Sequence, residues 1–193
     1  MADQFNPEHA KNLEGADRLE ALPQAAVVEL LRLAGAETVV DYGAGTGIYT
    51  AAIAAAVPDG KVFAVEALPQ LVELLRAKIT PELEDRLCIC ETADNVVPVD
   101  DGGADRVVMV DVLHHLYDQP DALEEVTRVL KPGGLYVVVD WGDTERPVGP
   151  PPGHVLGLPA IRDIVAGMGL DVVEVHEPGG LLPYHVVVVA EKR

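Results

Sequence analysis

At 193 residues the chain is long enough to bury the core of one domain, and its 49% hydrophobic and 4% aromatic content implies a core of Val, Leu and Ala. Against 14 Lys and Arg stand 32 Asp and Glu, and the net charge of −18 repels a phosphate backbone. Whole-chain disorder and a nucleic-acid partner are thereby argued against.

The opening Met1-Ala2-Asp3-Gln4 has neither a basic nor an apolar leader pattern. No apolar run approaches the roughly 18 residues of a membrane span, so no span and a cytoplasmic location are expected. Composition does not speak to oligomeric state.

Residues 7–20 and 24–33 read as helices, the second carrying Ala26, Val27, Leu30, Leu31 and Ala34 at helical spacing behind Pro23. Val39-Val40-Asp41 is a strand that runs through Tyr42-Gly43-Ala44-Gly45-Thr46-Gly47 into a helix ending near Val57. The glycines free the backbone and strip bulk from a place where a ligand could lie, and the helix start favours an anion. Pro58-Asp59-Gly60 turns the chain into a second strand, 61–65, which ends at Glu66. An acid there, about twenty residues beyond the glycines, can reach ribose hydroxyls. Residues 68–79 form an amphipathic helix with Leu71, Leu74, Leu75 and Ile79 on one face.

The third strand, 87–91, puts Cys88 and Cys90 on one side, as buried thiols without the further ligands a metal needs. Residues 104–110 form the fourth strand, followed by Asp111-Val112-Leu113-His114-His115-Leu116. A helix over 120–130, with Leu123, Val126, Thr127 and Leu130 inward, closes at a Lys131-Pro132-Gly133-Gly134 turn before a strand over 135–140. Residues 141–159 are too rich in Gly and Pro for regular structure; there Trp141 and His154 either contact substrate or pack the loop. A short helix over 161–168 and strands over 171–176 and 185–190 complete the chain.

The glycine spacing narrows the ligand. A dinucleotide loop of the form G-x-G-x-x-G needs glycine where Ile48 stands, and no triphosphate-binding G-x-x-x-x-G-K-[ST] occurs. Asp41-Tyr42-Gly43-Ala44-Gly45-Thr46-Gly47 instead resembles the D-x-G-x-G-x-G motif of class I S-adenosylmethionine-dependent methyltransferases. The Asp-Val-Leu-His-His-Leu and Leu-Lys-Pro-Gly-Gly segments match the small-molecule members, which include quinone-biosynthesis enzymes.

The resemblance implies an α/β, doubly wound, Rossmann-like fold: a seven-stranded, mostly parallel sheet with an antiparallel C-terminal hairpin. It further implies one domain over 1–193, with a helical lid over 1–35, where Phe5, His9 and Leu13 are candidates, and a cofactor-binding core over 36–193. The cofactor is then S-adenosylmethionine, with Asp41, Gly43 and Gly45 at the methionine end, Glu66 at the ribose, and Asp94 with Ala93 and Asn95 at the adenine. Asp94 has an alternative as a turn residue. Tyr42, Ala44, Ala67 and Asp111 complete the cofactor-binding set.

A methyl on a sulfonium already has a good leaving group, so alignment can supply about 7–11 kcal/mol and a base is needed only for an acceptor that loses a proton. His115 is the first candidate base, followed by His114 and His154, with His185 also able to titrate near neutrality. Adjacent histidines suit one metal poorly, and no metal is expected. The acceptor is expected to be a small molecule; Cys88 and Cys90 lie away from the acceptor loops, which argues against arsenite. Two alternatives remain at this level: a non-catalytic S-adenosylmethionine-binding protein, and a nicotinamide-dependent oxidoreductase, which would share the loop and Glu66.

Overall fold

The computed structural model describes residues 13–92, 94–147, 149–151 and 153–193. Helices α1 (Ala16–Ala21) and α2 (Gln24–Leu30) lead into β1 (Thr38–Tyr42), α3 (Ile48–Ala56), β2 (Lys61–Glu66), α4 (Pro69–Arg76) and β3 (Leu87–Glu91). Next come β4 (Ala104–Val110), α5 (Leu113–Leu116), α6 (Pro120–Val129), β5 (Leu130–Trp141), α7 (Gly157–Gly167), β6 (Asp171–His176) and β7 (His185–Glu191). Of the helix predicted over 7–20, residues 13–20 fall among the described residues, and α1 begins only at Ala16. Phe5 and His9 lie outside them.

One sheet holds all seven strands in the order β3-β2-β1-β4-β5-β7-β6. Strands β1 to β5 pair parallel, and β7 runs antiparallel to both β5 and β6, which is the doubly wound α/β arrangement expected. Valine-rich strands suit such a sheet because helices cover both of its faces. Alternate residues divide accordingly. Val40, Val107 and Val138 pack with Val126 of α6 and Ile161 of α7, while Val39, Val108 and Val137 pack with Val27 of α2 and Ile53 of α3.

Three local expectations are corrected. The Lys131–Gly134 turn is absorbed into β5, where the register jumps from Ala104↔Leu130 to Arg106↔Leu135. Gly133 makes the bulge possible at φ 76°, and its N–H donates to the Lys192 carbonyl. The inward stripe of α6 is Ala122, Val126 and Val129, shifted from the predicted one, and Glu125 is drawn in because its carboxylate accepts from the Val97 N–H. Helix α7 begins at Gly157 rather than Ile161.

Cys88 and Cys90 do share a side, with sulfurs 3.9 Å apart; Cys90 is buried and Cys88 half-buried. Burial, reinforced by Cys88, pushes the Cys90 thiol up to about 12. Among the described residues no helix is long and apolar enough to cross a membrane.

Strand order reverses between β1 and β4, since their outer neighbours β2 and β5 come from opposite directions along the chain. In an open α/β sheet that reversal leaves a crevice beyond the carboxyl ends of the strands.

Candidate functional site

The crevice holds a cavity of about 980 Å³, at the upper end of what drug-sized ligands occupy. Its wall joins Asp41, Tyr42, Gly43, Ala44 and Gly45 from the end of β1 to Glu66 at the end of β2, Ala67 just beyond it, Asn95 after β3, and Asp111 and His115 after β4. Ten of the predicted site residues thus converge. Ala93 lies outside the described residues.

The loop between β1 and α3 is tied to β2, because the Gly43 and Ala44 N–H groups both donate to the Val65 carbonyl, at 2.8 and 2.9 Å. Gly43 and Gly47 take φ near +80°, and a Cβ at either would strike a side chain: Val112 at 2.4 Å or Leu75 at 2.2 Å. Their bareness therefore makes room for the protein's own packing. Gly45 is different, with only Leu13 Cδ1 at 3.5 Å from where its Cβ would be. It is the glycine whose missing side chain leaves room on the cavity side.

Glu66 pins this loop. One carboxylate oxygen accepts from the Gly45 N–H at 2.8 Å and the other from the Ala67 and Leu68 N–H groups at 2.9 Å. A carboxylate has about four acceptor positions, so one remains for a ligand hydroxyl.

Asp41 is only 2% exposed and accepts from the Thr50 hydroxyl at 2.5 Å. Burial raises its pKa to about 6; the Thr50 hydrogen bond opposes the rise and the Glu66 charge adds to it. The folded protein therefore holds this proton more tightly than the unfolded chain, and the stabilisation present below pH 4 is lost as pH rises toward 6. Asp41→Asn should remove that loss. Denaturant melts at pH 7.5 are expected to show the variant more stable than wild type by up to about 3 kcal/mol, with the difference shrinking toward pH 4. Equal pH dependence in the two proteins would contradict the assignment.

Asp111 takes φ 57°, a conformation Asp tolerates better than most side chains, and its N–H donates to the Val139 carbonyl. Burial pushes its pKa up, but His185 and Arg18 outweigh this and hold it at about 2. The Arg18 guanidinium donates to Asp111 Oδ2 at 2.9 Å, and His185 Nε2 lies 3.2 Å from Oδ1 without hydrogen-bond alignment.

Five predicted residues, Asp94, His114, His154, Trp141 and His185, stand apart from the cavity wall. Asp94 is exposed: its carboxylate accepts from the Thr92 hydroxyl at 2.6 Å and the Val96 N–H at 3.4 Å, and it faces a neighbouring pocket. Thr92 and the left-handed Asn95, at φ 64°, turn it outward, so the turn-residue alternative describes its position. The Asn95 carbonyl instead accepts from the Tyr42 hydroxyl, tying the end of β1 to this segment.

His114 is held behind the wall. Its Nδ1 lies 2.7 Å from Asp140 Oδ1, and its backbone N–H donates to Asp140 Oδ2 at 3.0 Å. Desolvation lowers its pKa, but Asp140, with a smaller contribution from Asp111, raises it further than burial depresses it. Its ring centroid is 4.0 Å from that of His115. His154 is exposed on the loop before α7, away from the cavity. Trp141 is buried against His185, with Arg146 over its ring at 5.1 Å, so it packs the loop.

The sequence reading missed Arg18 and Asp140. Neither belongs to a motif: Arg18 lies 93 positions from Asp111, and Asp140 lies 26 from His114. Among the described residues, no group of three or more His, Cys, Asp or Glu could hold a metal ion.

A family model described as a methyltransferase domain matches residues 40–138. The ubiquinone/menaquinone biosynthesis C-methyltransferase UbiE of Syntrophotalea carbinolica is 29% identical over 123 residues, covering 64% of this chain and 52% of that protein. The uncharacterized methyltransferase Rv3342 of Mycobacterium tuberculosis is 34% identical over 122 residues, covering 63% of this chain and 46% of that protein. The chain thus spans about half the length of these relatives. A crystal structure of a SAM dependent methyltransferase from Aquifex aeolicus superimposes with a TM-score of 0.87 at 29% identity, covering 97% of this chain and 98% of that one.

Proposed function

The chain belongs to the methyltransferase domain family, and on that premise we propose that it transfers a methyl group from S-adenosylmethionine to a small molecule. The observation that carries this reading is the cavity over the glycine loop, into which Asp41, Glu66 and Asp111 all converge. Bound there, the cofactor supplies a methyl group on a positively charged sulfur. An acid-lined cavity suits that charge, since opposite charges attract strongly where water is excluded.

The free acceptor position on Glu66 supports a ribose role, and the outward Asp94 leaves the adenine edge to Asn95, Thr92 and the backbone beside them. No covalent intermediate is required of the protein. Its residues need to bind, orient and exclude water, and His115, in the wall, is the assigned base for an acceptor that must lose a proton. A net charge of −18 favours a neutral or cationic small acceptor over nucleic acid.

Calorimetry is expected to show binding of S-adenosylmethionine and S-adenosylhomocysteine, and none of NAD at comparable concentration. Methyl-labelled cofactor incubated with a small-molecule extract should then yield a labelled product. Tight cofactor binding with no labelled product under any condition would favour a non-catalytic binding protein; preference for NAD would overturn the reading.

A further inference from the structure

The chain's two cysteines take no part in the chemistry above, yet they lie close to its site. Their sulfurs are 3.9 Å apart on one side of β3. Cys90 belongs to the apolar cluster of Tyr42, Phe63 and Val65, and Cys88 is half-buried against it. Among the described residues no third His, Cys, Asp or Glu joins them, so the pair lacks the ligands of a metal centre. What two thiols at this separation can do without a third ligand is oxidise to a disulfide.

Strand geometry decides what closure costs. A rise of about 3.3–3.4 Å per residue sets the two α-carbons about 6.6–6.8 Å apart, at the upper edge of the roughly 4.4–6.8 Å that a disulfide spans, so closure must shorten the strand. Strand β3 can yield, because it is the edge of the sheet and pairs only with β2. A bridge held under that strain is readily reduced again.

The strand that would kink ends at the cavity. Cys90 lies opposite Val65 and Glu91 opposite Glu66, and just beyond them the Thr92 N–H donates to the Glu66 carbonyl at 3.1 Å. Thr92 and Asn95 both line the cavity. Shortening β3 between 88 and 90 pulls on that last pairing and on the wall it holds.

We propose that Cys88 and Cys90 form a reversible oxidation site, whose closure into a disulfide unpairs the end of β3 and loosens the cavity wall at Thr92 and Asn95. The oxidant is a hydroperoxide. The Cys88 sulfur attacks a peroxide oxygen; the O–O bond breaks, leaving a sulfenic acid on Cys88 and releasing water or an alcohol. The Cys90 sulfur then attacks that of Cys88, forming the S–S bond and breaking the S–O bond, and the hydroxyl leaves as water with the Cys90 proton. The dithiol loses two electrons and the peroxide gains them. Burial holds the Cys90 thiol protonated, which leaves the more exposed Cys88 to react first. Once Cys88 is a neutral sulfenic acid, its charge no longer opposes ionisation of Cys90, while Lys61 still favours it.

Trypsin makes the bridge directly readable, because the peptide between Arg86 and Arg106 carries both cysteines and no methionine. After hydrogen peroxide and alkylation under denaturing conditions, this peptide should lack two hydrogens and carry no alkyl group, and dithiothreitol should reverse both. Cys90→Ser should stop at a sulfenic acid on Cys88 that dimedone traps, and Cys88→Ser should stay reduced at the same dose. Amide exchange at Thr92 should speed up in the bridged protein. One further readout rests on the cofactor reading: S-adenosylhomocysteine should bind the bridged protein about 5-fold or more weakly, the factor for about one lost hydrogen bond. Cys88→Ser should keep its affinity through the same treatment.

A wild type that carries sulfinic acid on Cys88 beside a free Cys90, links two chains, or keeps both thiols at a dose that oxidises glutathione overturns the site. A bridge that leaves exchange at Thr92 unchanged overturns its link to the wall, and so does unaltered affinity in a protein that binds the cofactor. If the reduced protein binds no S-adenosylhomocysteine, the cofactor reading fails, while peptide mass and amide exchange still decide this one.

Discussion

Glu66→Ala is expected to abolish measurable binding of S-adenosylhomocysteine and to destabilise the fold at the same time. The carboxylate is 7% exposed and accepts three backbone N–H groups, from Gly45, Ala67 and Leu68. Each donor left without a partner in a buried place costs about 1–3 kcal/mol, although water entering the space left by alanine recovers part of it. A net loss of about 2–4 kcal/mol in denaturant melts is expected. Binding suffers twice, because the hydroxyl acceptor is gone and the Gly45 N–H loses its anchor, which leaves only the Gly43 and Ala44 bonds to the Val65 carbonyl to tie the loop to β2. The loss should exceed about 100-fold, or about 2.7 kcal/mol. Glu66→Gln should fall between, since one oxygen can still serve Ala67 and Leu68 while the new amide opposes the Gly45 N–H, donor to donor. Asp94→Ala is the contrast: with its carboxylate outside the cavity, affinity should change by less than about 3-fold. Full affinity in Glu66→Ala would mean that the adenosyl group lies elsewhere.

Gly43→Ala is expected to be the most damaging single methyl in the loop. The new Cβ would sit 2.4 Å from Val112 Cγ2 and 2.8 Å from Cγ1, and φ of 79° is strained for any residue with a Cβ. Backbone strain of about 1–2 kcal/mol adds to overpacking of about 1–3 kcal/mol, a large share of a typical total stability of about 5–15 kcal/mol. Val112→Ala removes the steric part and leaves the strain. The double variant should therefore be less destabilised than the sum of the two single changes, and denaturant melts of all four proteins measure that coupling. Strict additivity would show that Val112 moves aside without cost. Gly45→Ala meets only Leu13 at 3.5 Å, so its stability cost should be confined to the strain at φ 59°. Its methyl would instead intrude on the cavity side, and the larger effect should appear in cofactor affinity.

Much of the scaffold was legible in the residues because its determinants are local. Valine runs, Pro-Asp-Gly and Gly-Gly punctuation and helical spacing specify strands, turns and helices within a few residues of one another. The same holds for the strand ends that carry Asp41, Glu66 and Asp111, since each is simply the acid where an apolar run stops. Where local signals compete, the reading slipped. Lys131–Gly134 carries every mark of a helix stop, yet pairing with Lys192 draws it into β5.

Orientation is another matter. Asp94 is the residue the resemblance assigns to the adenine, but Thr92, Val96 and the left-handed backbone of Asn95 turn its carboxylate away. His114 and His115 are adjacent in sequence, yet Asp140 holds the first behind the wall and only the second lines the cavity. Which elements form, in what order, and which acids end the strands follows from the amino acids, because propensity and periodicity act over short separations. Which of those side chains share one cavity, and that Arg18 joins them there, depends on contacts spanning as many as 93 positions. Such contacts exist only once the sheet has closed, and no short-range pattern in the chain encodes them.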